Sequence, residues 1–212
     1  FPGGIPFTTY QGALEPTQII PEAYRMNQLN GTADDVVPVP PGTTPAATIV
    51  VPRRNNGPLI SVAGTTGISV QFTGFSPTRE VDFFRLLSQA DTVHEAIDAQ
   101  RYFDFGAQNW MYVDDRGSIG YKTSGEIPLR EDLQAGTVSG RPPYFIRNGQ
   151  GGNEWIPDAT QAEDQASPYE LLPVAEMDGL VNPARGWIAN ANQDPTGQTF
   201  DNNPLNELRP GG

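Results

Sequence analysis

The chain has 212 residues, a formal net charge of −12 and no cysteine. So acidic a surface repels phosphate backbones, and nucleic acid is not an expected partner. The absence of cysteine excludes disulfides, thiolate catalysis and cysteine-zinc sites. No apolar run approaches the roughly 18–20 residues needed to span a bilayer, so no membrane span is predicted.

Glycine and proline are abundant, with 23 and 21 residues. This content indicates many turns and short strands rather than a helical bundle. We therefore predict an α+β, β-rich fold. The chain opens on Phe1 and closes on glycine, and we expect it to be an internal piece of a longer protein.

Residues 1–46 are predicted to form a β-rich elaboration. Short runs at 6–10 and 17–20 are typical of strands between turns. The stretch 36–45 is too rich in proline for a central strand, so we predict an exposed loop there.

Residues 47–212 are predicted to form a second region. Strands are expected at 48–52 and 59–62, with a turn between them. Residues 68–72 alternate apolar and polar side chains, as a half-buried strand does.

Residues 76–102 are predicted to form two helices with a short break. Ser76 is the expected N-cap of the first helix, and Pro77 occupies its first helical position. Three apolar residues at helical spacing define its expected buried face: Val81, Phe84 and Leu87.

The second helix is marked by Thr92 and Glu95, which have the spacing of a capping box. Val93 and Ile97 are expected to lie on one face of this helix.

A hairpin is predicted at 109–121, with its turn at 114–117. Turn chemistry explains the pair Asp114 and Asp115 better than acid–base catalysis does. Loops are expected from 128 to about 170, and a last strand is predicted at 186–192.

The other chemical signals are weak. His94 is the only histidine and falls inside a predicted helix, where an ordinary helical position is the favoured interpretation over a catalytic base. No G-x-S-x-G sequence is present. Gly149–Gly152 lacks a following lysine or helix start, so it is a predicted loop and not a phosphate cradle. Composition and spacing alone identify no reaction.

One segment, however, resembles a known family. Residues 108–121 read QNWMYVDDRGSIGY, and 125–130 read GEIPLR. They closely resemble the penicillin acylase (penicillin amidase) signature, QN-aromatic-x-Y-x-D-x-x-G-x-I-x-Y followed by G-x-I-P-x-R. Three further elements occur in the family's order: Asn56-Gly57-Pro58, a helix at 75–90, and N-P-x-x-G-x-I-x-x-A-N at 182–192. The likeness covers about residues 47–205.

The resemblance implies an N-terminal nucleophile hydrolase with a layered αββα core. In this family a precursor is cleaved, and a serine at the new N-terminus attacks an amide carbonyl with its own α-amine as the base. The resemblance thus implies that 47–212 is part of that core, within the large subunit of an exported enzyme. The implied partners are the small subunit, the rest of the large subunit and a small acylated substrate, such as a penicillin, a cephalosporin or an acyl-homoserine lactone.

The resemblance also implies roles for individual residues. The asparagine of the A-N pair, here Asn192, would donate its amide to the oxyanion. The competing interpretation is that Asn192 satisfies a strand end or caps a turn. Asp201 lies near the position of a calcium-ligating carboxylate, and Asn203 fits almost as well. Calcium is expected only in the full-length protein, because it needs six to eight oxygen ligands.

No residue of the chain matches the family's nucleophilic serine. The 212 residues assayed by themselves are therefore predicted to be inactive. The alternative to a hydrolase is a non-catalytic β-rich binding module on the same architecture.

Overall fold

The computed structural model of the chain describes residues 6–28, 31, 36–40, 42, 47–52, 57–135, 146–163 and 165–191. The chain divides into two compact units between residues 72 and 73. Strands outnumber helices in the described residues, which confirms the β-rich α+β prediction.

The first unit consists of short antiparallel strands. In chain order they are β1 (Phe7–Tyr10), β2 (Ala13–Pro16), β3 (Gln18–Pro21), β4 (Arg25–Asn27), β5 (Val36–Pro38), β6 (Ala47–Val51), β7 (Gly57–Ala63) and β8 (Thr66–Ser69). Strands β1 and β2 form a hairpin, β4 pairs with β5, and the remaining four form a sheet in the order β3-β6-β7-β8. Gln11 and Gly12 both have positive φ, as the type I′ turn of a two-residue hairpin requires.

Most strands predicted in this unit are confirmed, at 6–10, 17–20, 48–52 and 59–62. The loop predicted at 36–45 is wrong over Val36–Pro38, because a two-stranded ladder tolerates a proline at the end of an edge strand. The strand predicted at 68–72 is confirmed only at its first two residues, because β8 runs from Thr66 to Ser69. The prediction is wrong over residues 70–72, since the pairing of β8 with β7 ends at Leu59 and Ser69.

The domain boundary was predicted between residues 46 and 47. Strand β3 lies before that point and pairs with β6 beyond it. Strand β6 in turn pairs with β7. The first compact unit therefore extends to residue 72.

The second unit combines a sheet with helices. Its elements are α1 (Glu80–Leu87), α2 (Val93–Ala99), β9 (Asn109–Val113), β10 (Ile119–Thr123), α3 (Glu131–Gln134) and β11 (Gly179–Val181). The three strands form an antiparallel sheet in the order β11-β10-β9. The predicted pair of helices and the predicted hairpin are confirmed.

Two details of α1 were predicted incorrectly. The helix begins at Glu80 and not near Ser76, because the first carbonyl to accept helical hydrogen bonds is Arg79 O, from the N–H groups of Asp82 and Phe83 at 2.8 and 3.2 Å. The predicted buried face is also wrong, since Val81 and Phe84 are 83% and 53% exposed.

Phe83 is the buried residue of α1, with 0% exposure. Its ring packs edge-on against Phe103 at 5.1 Å and Trp110 at 4.9 Å between centroids. Edge-to-face packing of this kind adds to the area that the rings bury. Contacts distant in sequence therefore select the buried face of α1.

The start of α2 is confirmed as a capping box. The backbone N–H of Glu95 donates to Thr92 Oγ1 at 3.2 Å, and Glu95 Oε2 accepts from the backbone N–H of Asp91 at 2.8 Å. One backbone donor of the first helical turn and one just before the helix are thereby satisfied.

The last predicted strand is wrong over residues 186–191, which form no strand. Pro183 O accepts from the backbone N–H of Gly186 at 2.8 Å, and Gly186 has a φ of 73°. This turn breaks the extended path. The third strand of the sheet is β11, seven residues earlier.

Among the described residues between 128 and 171, where loops were predicted, the chain forms the short helix α3 and isolated bridges, such as Arg130 with Trp155 and Pro157 with Tyr169. The rings of Trp155 and Tyr169 pack edge-on at 5.2 Å. Among the described residues, no helix combines the length and the apolar character needed to cross a membrane.

Candidate functional site

The two faces of the sheet in the second unit differ. Gly120 lies on the helical face, where an added Cβ would be 2.4 Å from Val93 Cγ1 and 3.3 Å from Ile97 Cδ1. The missing side chain therefore lets α2 approach β10 closely, and Val93 and Ile97 lie on one face as predicted.

The other face, which we call the open face, is defined by Asn109, Met111, Val113 and Tyr121. These residues alternate with the helix-facing ones along β9 and β10. Met111 and Val113 are 53% and 75% exposed, whereas Tyr121 is only 3% exposed. The open face therefore carries two exposed apolar side chains, Met111 and Val113. The buried phenol of Tyr121 lies there beside the amide of Asn109.

Asp114, the aspartate of the sequence signature, has a structural role in the hairpin turn. Its Oδ1 accepts from the backbone N–H of Ser118 at 2.8 Å and of Arg116 at 3.0 Å. Its Oδ2 accepts from the backbone N–H of Val93 at 3.4 Å, in the first turn of α2. These bonds, that from Ser118 foremost, lower the pKa of Asp114. Asp114 therefore ties the hairpin turn to a helix, as its predicted turn role requires.

A segment that we call the strap, residues 182–191, follows β11. Asn182 fixes its first end, because its Oδ1 accepts from the backbone N–H of Ile119 at 2.9 Å and its own N–H donates to Ile119 O at 2.9 Å. Within the strap, the Arg185 guanidinium lies over the Trp187 ring, and its Nε donates to Trp187 O. Several local contacts therefore define the path of the strap.

The second end of the strap is bound to the open face. Asn109 Nδ2 donates to Asn190 Oδ1 at 3.2 Å, and Tyr121 Oη donates to Asn109 Oδ1 at 2.7 Å. Three side chains from β9, β10 and the strap thus form a continuous hydrogen-bonded chain. The sequence indicated Asn109 and Tyr121 only as signature positions, and their contact with the strap required the tertiary structure.

The predicted site residues Asn192 and Asp201, and the alternative Asn203, lie outside the described residues. Asn190 precedes Asn192 by two residues, and two residues span at most about 7 Å. The Asn109–Asn190 bond therefore fixes the chain two residues before the predicted oxyanion donor.

His94 is exposed on α2, in the ordinary helical position that the sequence favoured. The described residues contain no group of three or more His, Asp or Glu placed to hold a metal ion. Calcium binding stays an expectation for the full-length protein.

A charged cluster that the sequence did not reveal lies at the start of α1. Arg79 Nη2 binds Asp104 Oδ1 at 2.6 Å, and its Nε binds Asp104 Oδ2 at 2.9 Å. Glu126 Oε1 lies 3.6 Å from the same guanidinium. Glu80 Oε1 accepts from the backbone N–H groups of Asp104 and Phe105. The cluster satisfies its charges internally, which indicates a structural role.

Glu126 connects the charged cluster to the loop that contains Ala166 and Ser167. Burial raises the pKa of its carboxyl, while backbone N–H groups of Ala166 and Ser167, which donate at 2.6 and 2.7 Å, favour the ionised form. Glu126 also borders a cavity of about 400 Å³ with a mixed lining of apolar and polar side chains, among them Leu129, Leu172, Met177, Gln100 and Ser124. The cavity could accept a ligand with both apolar and hydrogen-bonding parts.

Comparison with known proteins identifies the family. The chain is 28% identical over 127 residues to "Acyl-homoserine lactone acylase QuiP" from Pseudomonas fluorescens (strain Pf0-1), which is 60% of this chain and 13% of that relative. The chain thus spans a small part of the length of the curated relative it matches. The family model described as penicillin amidase matches residues 4–209. The chain therefore belongs to the penicillin amidase family.

Proposed function

We propose that the protein containing this chain hydrolyses a linear amide bond of an acylated small molecule, and that this chain supplies its oxyanion donor, Asn192. The observation that carries the proposal is the family match over residues 4–209. The strap supports it, because Asn109, which accepts a hydrogen bond from Tyr121, binds Asn190 in the strap, and Asn182 binds the first end of the strap to Ile119.

The proposed chemistry suits an asparagine. Attack on an amide carbonyl places negative charge on its oxygen, and a fixed neutral N–H donor stabilises that charge without a proton transfer. The attacking hydroxyl would come from an N-terminal serine whose α-amine accepts the proton, so the exposed His94 has no part in the reaction. Because no residue of this chain matches that serine, the 212 residues alone are expected to be inactive.

The layered core is part of the same proposal. Helices α1 and α2 cover one face of the sheet, and the open face has exposed apolar residues. An αββα core places helices outside and a second sheet on the inner face, so we propose that the rest of the enzyme supplies that second sheet. Calcium binding through Asp201 is proposed for the full-length protein only.

We propose an acyl-homoserine lactone, a penicillin or a cephalosporin as the substrate class. The name of the relative from Pseudomonas fluorescens supports the first of these. Each compound joins an acyl group to an amine through a linear amide, which is the bond that the mechanism cleaves.

The full-length protein should be assayed by chromatography with an N-acyl-homoserine lactone, a penicillin and a phenylacetyl p-nitroanilide. We expect hydrolysis of at least one, and Asn192→Ala should lower its kcat by about 10²–10³-fold. The control is Asn148→Ala, which removes a local bond to the backbone N–H of Gln150. Binding of these compounds without any turnover would favour the non-catalytic module.

A further inference from the structure

We propose that Asn109 is a positioning residue for the hydrolysis, because its amide joins Tyr121 in the sheet to Asn190 in the strap and so fixes the chain that leads to Asn192. The inference rests on the proposed function. It assigns a role to a residue that does not itself contact the reacting atoms.

The first step is the orientation of the Asn109 amide. Tyr121 is buried in the sheet, and its hydroxyl donates to Asn109 Oδ1 at 2.7 Å. A side-chain amide has one accepting end and one donating end. Once Tyr121 occupies the accepting end, the donating end is turned toward Asn190.

The second step is the attachment of the strap. Asn109 Nδ2 donates to Asn190 Oδ1 at 3.2 Å, and Asn182 binds the backbone of Ile119 at the other end. Asn109 begins β9, whereas Ile119 begins β10 and faces Val113 at the opposite end of the hairpin. The strap is therefore fixed at both ends of the same rigid hairpin.

The third step links the attachment to catalysis. A donor to the oxyanion acts only on charge that develops in the transition state, so its misplacement lowers kcat and leaves KM nearly unchanged. A displacement of about 1 Å can cost about 10²-fold in rate. Because Asn192 follows Asn190 by two residues, release of Asn190 displaces that donor.

The test uses the full-length protein and the best substrate from the assay above. Asn109→Ala and Asn190→Ala should each lower kcat by about 10- to 100-fold with KM changed by less than about 2-fold. Tyr121→Phe, which keeps the buried ring and removes only the donor, should lower kcat by a smaller factor. Asn148→Ala is the matched control, and its kcat should equal that of the wild type.

A double variant separates positioning from general stability. If Asn109 acts through Asn192, then Asn109→Ala should cause almost no further loss of kcat in an Asn192→Ala background. A purely structural role predicts instead the same fold loss in both backgrounds, accompanied by a lower Tm. That result, or an unchanged kcat in the single variants, would overturn the proposal while the proposed function stands.

Hydrogen–deuterium exchange of the same proteins gives a readout that does not require turnover. Asn109→Ala should accelerate exchange in peptides covering residues 186–191 and leave α2 unchanged, whereas Asn148→Ala should affect neither. Unchanged exchange in the strap would overturn the proposed attachment. If the wild type is inactive on every substrate, the proposed function fails, and with it the positioning role of Asn109 in hydrolysis. Faster exchange would then establish only the attachment of the strap.

Discussion

The two compact units hold their strands in different ways. In the first unit, Val51 is the one apolar side chain among the described residues that is buried. Ile60 and Val62 are 65% and 62% exposed. In the second unit, α1 and α2 cover the sheet and bury Phe83 and Val93 completely or nearly so. Backbone pairing therefore defines the path of the first unit, and side-chain packing defines that of the second.

This difference has a consequence for stability. Isolated hairpins gain little from backbone pairing alone, whereas a sheet packed against helices buries apolar area. We expect substitutions in the second unit to reduce the free energy of unfolding far more than comparable substitutions in the first.

The largest expected effect is that of Phe83→Ala. Removal of a fully buried ring that packs against Phe103 and Trp110 should lower the free energy of unfolding by about 3–5 kcal/mol. Val62→Ala, in the first unit, should change it by less than about 0.5 kcal/mol. Urea denaturation of the 212-residue chain, followed by circular dichroism, measures both. Equal losses would show that the two units do not differ in this way.

Asp104→Ala tests the charged cluster of the second unit. Asp104 has 1% side-chain exposure, so its loss leaves the Arg79 guanidinium without its closest carboxylate and should cost about 3 kcal/mol. The control is Asp82→Ala, because the Asp82–Arg85 pair is 51% and 56% exposed and should contribute less than about 0.5 kcal/mol. Similar values for the two variants in urea denaturation would contradict a buried structural role.

Gly120→Ala tests the close approach of α2 to the sheet. A methyl group there meets Val93 and Ile97, and overpacking of this kind typically costs about 1–3 kcal/mol. The matched control is Gly149→Ala, since no atom lies within 4 Å of a Cβ at that position. A stable Gly120→Ala variant would mean that α2 can move away from β10 at little cost.

The smallest expected effect is a pH dependence due to Asp114. Its pKa is lowered below the ordinary 3.8 in the folded state. The ionised Asp114 carboxylate therefore stabilises the folded state fully at pH values above its ordinary pKa of 3.8. This stabilisation is lost as the pH falls through the lowered pKa of the folded state. Asp114→Asn should lower Tm more at about pH 6 than at about pH 2.5.

The neighbouring substitution Asp115→Asn removes the same charge without the turn bonds and serves as the control. If both variants shift Tm equally at the two pH values, general charge repulsion and not the hairpin turn is responsible.

Part of the candidate site could be predicted from sequence and part could not. Resemblance to the family pointed to Asn192, and the comparison confirms that family. The role of Asn192 stays a prediction, because it lies outside the described residues. The bond between Asn109 and Asn190 joins residues 81 positions apart, and no local pattern reveals such a contact.

Elements with a local cause could be predicted from the sequence. The capping box of Thr92 and Glu95 and the turn at Asp114 depend on side chains that bind backbone groups a few residues away. The buried face of α1, the third strand of the sheet and the attachment of the strap became known only from the folded structure. Those outcomes depend on packing and pairing between residues far apart in sequence, such as Phe83 with Trp110 and Tyr121 with Leu180.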